Sequence, residues 1–232
     1  MKAVILAGGL GTRLKPFTEI IPKPLLPIGE KAVLEIQIEH LKAHGFDEIF
    51  LATNYKSDYI KKFFGDGSRY GVNLTISKEE IPLGTAGPLD LLKDRLTEPF
   101  VVINGDVISA LDLTKFYDFA VKDDSYLTLA IKKILTPFAF GNIFFDGDRV
   151  TGIEEKPDLV NFILAGIYVM DPQIFQFIPS GEYFGMDSLI KKMLAEDCPV
   201  SKYEIEEYWL DIGRMDDFEK AQEIYSKKDG GE

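Results

Sequence analysis

Residues 2–16 read KAVILAGGLGTRLKP, and this stretch decides the fold. Lys2 to Ala7 form a short, apolar, partly β-branched run of the kind that makes a buried strand. The run breaks at Gly8, Gly9 and Gly11, where backbone without Cβ atoms turns tightly and can present N–H groups to an anion. Thr12, Arg13 and Lys15 then add a hydroxyl and two positive charges. A buried strand ending in a glycine loop that bears cations predicts a triphosphate-cradling loop at the carboxyl edge of a parallel sheet, entered through Leu6 and Ala7. Two common phosphate loops are excluded. Leu14 stands where GxGxxG needs its third glycine, and no GK[ST] follows.

Working outward, 33–45 (VLEIQIEHLKAHG) predicts a helix closed by Gly45, and 48–53 (EIFLAT) predicts a strand. Residues 57–67 read as a helix, 73–79 as a strand, 87–96 (GPLDLLKDRL) as a helix and 100–106 (FVVINGD) as a buried strand. Strand and helix alternating in this way imply an α/β fold with a Rossmann-like, doubly wound, mostly parallel sheet. From about residue 126 the rhythm changes. Strands are expected over 126–133, 139–146, 149–156 and 164–171, with a tight turn at Asp146, Gly147 and Asp148. A helix starting at Pro172, a helix over 188–197, an extended 208–212 and a terminal helix complete a mixed second half built on the same sheet. No repeat or Pro/Gly/Ser-rich linker interrupts the chain, so 1–232 is expected to form a single domain.

Composition narrows the function classes. The net charge of −12 argues against a nucleic-acid surface, which needs a basic face to displace counterions. A single cysteine, Cys198, allows no internal disulfide, and no Cys/His cluster suggests zinc. The N-terminal apolar run is too short for a signal peptide or a membrane span, so a cytoplasmic protein is expected. His40 and His44 lie four apart on one predicted helix with no third metal ligand, and are expected to face solvent.

AGGLGTRLKPFT (7–18) followed by PKPLLPIG (22–29) resembles the signature of the sugar nucleotidyltransferase family, the pyrophosphorylases of nucleotide-sugar synthesis. The resemblance continues through EIPLGTAGPL (80–89), NGD (104–106), IEEKP (153–157), LAGIYVMD (164–171) and WLDIGR (209–214), in the family's order. It implies transfer of a nucleoside monophosphate from a nucleoside triphosphate to a sugar 1-phosphate, with Mg2+ as cofactor and pyrophosphate as second product. The nucleotide would occupy about residues 1–125 and the sugar about 126–232.

Residue by residue, the resemblance implies that Leu6, Ala7, Gly8, Gly9, Gly11, Thr12, Glu79, Gly84 and Thr85 bind the nucleotide. Arg13 and Lys23 would neutralise the reacting phosphates, Lys23 being held between Pro22 and Pro24. Asp106 and Asp211, each ending an extended piece, would be the metal ligands, and Asp106 is counted with Arg13 and Lys23 as catalytic. Gly141, Glu155, Lys156, Ala165 and Gly166 would shape the sugar and sugar-phosphate pocket. EEIPLGTAG (79–87) is similar to the base-binding stretch of mannose-1-phosphate guanylyltransferases, which favours GTP and a manno-configured sugar, with thymidylyl, uridylyl and cytidylyl transfer as alternatives. Longer members carry a C-terminal hexapeptide-repeat helix, and no counterpart to it is expected here. Self-association is left open, and neither a membrane nor a nucleic acid is an expected partner. Two rivals are a glycosyltransferase, whose DxD is missing because Val107 and Ile108 follow Asp106, and a non-catalytic sensor or partner subunit, which should have lost one of the five charged residues.

Overall fold

A computed structural model describes residues 1–9, 11–54 and 56–229. The strands are β1 (Lys2–Leu6), β2 (Pro27–Ile28), β3 (Lys31–Ala32), β4 (Glu48–Thr53), β5 (Asn73–Lys78), β6 (Phe100–Asn104), β7 (Val107–Ser109), β8 (Leu127–Pro137), β9 (Asn142–Asp146), β10 (Arg149–Glu154), β11 (Asp158–Met170), β12 (Val200–Glu204) and β13 (Trp209–Asp211). The α-helices are α1 (Phe17–Ile20), α2 (Val33–Ala43), α3 (Ser57–Phe64), α4 (Leu113–Asp123), α5 (Met186–Ala195) and α6 (Met215–Asp229).

Seven strands form one sheet in the order β12-β8-β11-β6-β1-β4-β5. All its pairings are parallel except those of β11, which runs antiparallel to both β6 and β8. The expected mixed, mostly parallel sheet is therefore present. Side-chain alternation along each strand sorts the core into two layers. Ala3, Ile5, Ile49, Leu51, Val101, Ile103, Ile167 and Val169 pack with Leu34, Ile38 and Leu41 of α2, Ile60 and Phe64 of α3, and Phe116 of α4. Val4, Phe50, Ala52, Phe100, Val102, Tyr168 and Met170 face the other way, onto Leu89, Leu92, Leu96 and Met186, Leu189 and Met193 of α5. Both faces are covered, as doubly wound winding requires. A third cluster joins Leu14, Leu26, Ile28 and Val33 to Ile108, Ile212 and Ala221 of α6, so the terminal helix packs under the glycine loop.

Several elements depart from the sequence expectations, among them the helix expected at Pro172, which is a 3-10 helix. Residues 87–96 are not an α-helix but a 3-10 helix, Gly87–Leu92. Ala86 N and Gly87 N both donate to Phe184 O, at 2.9 and 3.0 Å, so tertiary pairing rather than helical propensity sets the start of that segment. The helix α4, capped by the Asp112 carboxylate accepting from Lys115 N, and the edge strand β12 are additions to the expected elements. The two histidines are half-buried rather than solvent-facing. His40 Nε2 lies 2.9 Å from Leu111 O and His44 Nδ1 lies 2.9 Å from His40 O, so backbone carbonyls satisfy the pair, and burial holds the His40 pKa below its usual value.

Beyond residue 131 the sheet continues only as a two-stranded ribbon, because β12 leaves β8 at Ile131 and β6 leaves β11 at Ile167. This ribbon, with the β9–β10 hairpin at its end, forms an arm. Since β8 runs parallel to β6 and β1, the arm rises beyond the carboxyl edge of the parallel strands. No helix among the described residues is long and apolar enough to cross a membrane.

Candidate active site

A cavity of about 490 Å³ opens along the carboxyl edge of β1, β4, β5 and β6. From the loop after β1 it is lined by Leu6, Ala7, Gly8, Gly9, Gly11, Thr12 and Arg13, and from later strand ends by Asn54, Glu79, Gly84, Thr85, Asn104 and Asp106. Lys23, Tyr183 and Gly213 complete the rim. Among the described residues, every position expected to hold the nucleotide thus borders one space, as do the three expected catalytic groups.

The glycine loop is closed by two bonds to Gly11 O, from Leu14 N at 2.9 Å and Thr18 Oγ1 at 2.8 Å. Gly8 is tightly enclosed. A Cβ there would sit 2.8 Å from Glu79 Oε1, so the loop runs directly against the end of β5. Glu79 is 6% exposed, and its Oε2 accepts from Leu83 N at 2.9 Å. Burial raises its pKa, and the hydrogen bond from Leu83 N opposes that rise.

Lys23 begins a 3-10 turn between two buried prolines, Pro22 and Pro24, as their restricted backbones suggest. Its Nζ donates to Asp106 Oδ2 at 2.5 Å. Asp106 follows β6 in a turn whose carbonyl accepts from Ile212 N at 2.8 Å. The antiparallel pairing of β13 with β7 sets Asp211 against Val107, so two aspartates a hundred residues apart in sequence lie side by side. Asp211 Oδ1 is buried with no hydrogen-bond partner. Its pKa is raised, first by burial and then by the negative charge of Asp106, while Lys23 and Arg13 pull it down. Arg13 and Asp211 meet at Gly213, where a Cβ would lie 3.3 Å from Asp211 Oδ1 and 3.5 Å from an Arg13 guanidinium nitrogen. Close by in the core, the Tyr168 hydroxyl is pushed up to about 12 by burial and by the charge of Asp106.

None of the five residues expected at the sugar lines this cavity. Ala165 and Gly166 sit at the foot of the arm. Ala165 is fully buried and its carbonyl accepts from Trp209 Nε1 at 2.7 Å, while a Cβ on Gly166 would come within 2.6 Å of Asn104 Nδ2. Their small size has a packing cause. Gly141, Glu155 and Lys156 are exposed on the arm, where Gly141 lies beside the Glu155 carboxylate.

Sequence reasoning passed over Asn54, Asn104 and Tyr183. The two asparagines follow β4 and end β6, where the strand-end rule would have found them. Tyr183, 73% exposed, has no local signal. It reaches the cavity because Phe184 N donates to Leu83 O at 2.8 Å and Met186 N donates to Thr85 Oγ1 at 2.7 Å.

The profile of the nucleotidyl transferase family matches residues 2–228. A mannose-1-phosphate guanyltransferase of Candida albicans is 36% identical over 237 residues, which are 97% of this chain and 64% of that protein. The chain therefore spans less than two thirds of the length of the curated relatives it matches. Among solved structures, HddC from Yersinia pseudotuberculosis complexed with GMP-PN is 31% identical with a TM-score of 0.76, covering 97% of this chain and 99% of that one. A crystal structure from Bacillus anthracis in complex with a sucrose, provisionally named a glucose-1-phosphate thymidylyltransferase, is 25% identical with a TM-score of 0.81 and covers 100% of this chain and 98% of that one. With the whole β1-to-α6 span matched, the chain belongs to the nucleotidyl transferase family.

Proposed function

We propose that this chain transfers a nucleoside monophosphate from a nucleoside triphosphate to a sugar 1-phosphate, with GTP and a manno-configured sugar 1-phosphate as substrates and Mg2+ as cofactor. One observation carries the proposal: the glycine loop, Arg13, Lys23 and Asp106 line one cavity, and Asp211 lies beside Asp106 at its border.

A sugar phosphate is already mostly dianionic at neutral pH, with a second pKa of about 6, so its oxygen can attack without a general base. That oxygen forms the new bond to the α-phosphorus while the bond from the α-phosphorus to the leaving pyrophosphate breaks. What the protein supplies is position and charge. Backbone N–H groups of the glycine loop hold the triphosphate, with Arg13 over the departing pyrophosphate. Lys23, held by its prolines, compensates charge at the α-phosphate. Lys156 would bring the sugar phosphate.

Asp106 and Asp211 fit a magnesium ion. Two neighbouring carboxylates, of which Asp211 is raised by burial and by the charge of Asp106 and has an orphaned buried oxygen, suit an oxygen-seeking cation that fills its remaining positions with water and phosphate. Among the described residues no cluster of three or more acidic, His or Cys side chains is present, and magnesium does not need one. When bound, the ion would neutralise charge on the transferred phosphate.

Glu79 favours guanine. The guanine edge presents N1–H and the 2-amino group, two donors for the Glu79 carboxylate, whereas uracil and thymine would set a carbonyl oxygen against it. The GMP-PN complex of HddC and the mannose-1-phosphate guanyltransferase of Candida albicans support the same choice of base, and the latter the choice of sugar. Steady-state assays of Glu79→Gln with GTP and with UTP test the base. Retained GTP preference in that variant would remove Glu79 from base reading.

A further inference from the structure

Gln37 lies outside the cavity, on α2, and is 4% exposed. Its Nε2 donates to Asn104 O at 2.8 Å and to Val107 O at 2.7 Å. Those two carbonyls bracket Gly105 and Asp106, so both protons of one side-chain amide are used on a single turn. Two further bonds hold this turn, from Gly105 N to Leu6 O at 3.0 Å and from Ile212 N to Asp106 O at 2.8 Å. Both of these are backbone bonds and do not involve the Gln37 side chain. The grip on the far side comes from Gln37.

The surroundings of this amide are mostly apolar: Ile36, Ile103, Val107, Ile108 and Ile167, with His40 and Ser109, border a space of only about 20 Å³ beside it. Gln37 Oε1 is buried without a partner, which costs stability. A methionine of similar volume would fill the same site without that cost, but it would leave two carbonyls unpaired at the turn that carries Asp106.

We infer that Gln37 is a positioning residue, whose amide fixes the Asn104–Val107 turn and so holds the Asp106 carboxylate in register with Asp211 and Lys23. The inference rests on the proposed metal role of these aspartates. Magnesium demands nearly ideal octahedral geometry, so a carboxylate that wanders by a fraction of an ångström binds it poorly. Groups that orient metal ligands without touching the ion typically change metal affinity or activity 10- to 100-fold when removed.

The test uses the full chain and Mn2+ as the probe metal, followed by electron paramagnetic resonance with and without GTP. In Gln37→Met the Mn2+ dissociation constant should rise about tenfold or more and kcat should fall 10- to 100-fold, while the KM for GTP stays within about twofold. Gln37→Glu provides the second variant. Its ionised carboxylate has no proton to give the two carbonyls, and its protonated form has one. Its activity relative to wild type should therefore recover as pH falls from 9 to 6. Mn2+ affinity and kcat of Gln37→Met within twofold of wild type would overturn the inference, as would wild-type protein that binds no Mn2+. If Gln37→Met does not fold, a flat pH ratio for Gln37→Glu overturns it instead. A wild-type protein that binds Mn2+ in a manner dependent on Asp106 and Gln37, yet releases no pyrophosphate, would sink the proposed reaction and leave the positioning role standing.

Discussion

At the carboxyl edge of β1, β4 and β6 the cavity residues are aimed by strands whose central side chains are fully buried, whereas past residue 131 the arm carries Leu135, Val160 and Phe162, each more than half exposed. The two regions were expected to form one site. In the first, each functional side chain is held from several directions: Lys23 by two prolines, Asp106 by β1, β13 and α2, Glu79 by Leu83. In the second, Glu155 and Lys156 lie in the link between β10 and β11, at the end of a two-stranded ribbon with little stability of its own in water. In the proposed reaction the core would therefore preorganise the charge-handling half, while the sugar half would depend on contacts made when substrate arrives.

That contrast is open to attack in order of expected effect. Asp106→Asn should lower pyrophosphate release by roughly a thousandfold or more, the scale for losing preorganised charge at a reacting phosphate, with an unchanged circular dichroism spectrum. Activity near wild type would remove Asp106 from the chemistry. Lys156→Ala should raise the KM for the sugar 1-phosphate about 10- to 100-fold, the scale of one charge-assisted hydrogen bond, and leave the KM for the nucleotide alone. Equal changes in both constants would erase the division between core and arm. Glu79→Gln should narrow the GTP-over-UTP ratio about tenfold with both kcat values little changed.

The smallest effect concerns stability. The pKa of Asp211 is raised above its ordinary value of 3.8 in the fold, so the native state binds more protons than the unfolded chain there. Without metal, stability contributed by this group is present below 3.8 and is lost as pH rises through the raised value. Mg2+ should therefore raise the melting temperature by a few degrees at neutral pH, and the increment should fade as acid protonates Asp211. In Asp211→Asn the increment should vanish at every pH, a result that differential scanning calorimetry reads directly.

The parts of this site that are legible in the sequence are those written locally. A buried run followed by glycines and cations announces the β1 loop, FVVIN announces the strand before Asp106, and Pro22 and Pro24 announce a restrained Lys23. The helix α4 was also written, with its Asp112 cap and buried Leu113, Phe116 and Ala120, but exposed Phe119 and Val121 blur its apolar stripe. Gln37 could not be read, since its partners lie 67 and 70 residues away. The same holds for the His40 ring, which meets a carbonyl 71 residues on, and for Tyr183, carried to the cavity by backbone pairing with the 83–87 segment.

The most direct test of the central claim is pyrophosphate release with Mg2+, measured across GTP, UTP, dTTP, CTP and ATP against mannose, glucose, N-acetylglucosamine and heptose 1-phosphates. Release should be greatest for GTP with mannose 1-phosphate and should require the metal. Silence in every combination, from folded protein that still binds GTP, would contradict the account.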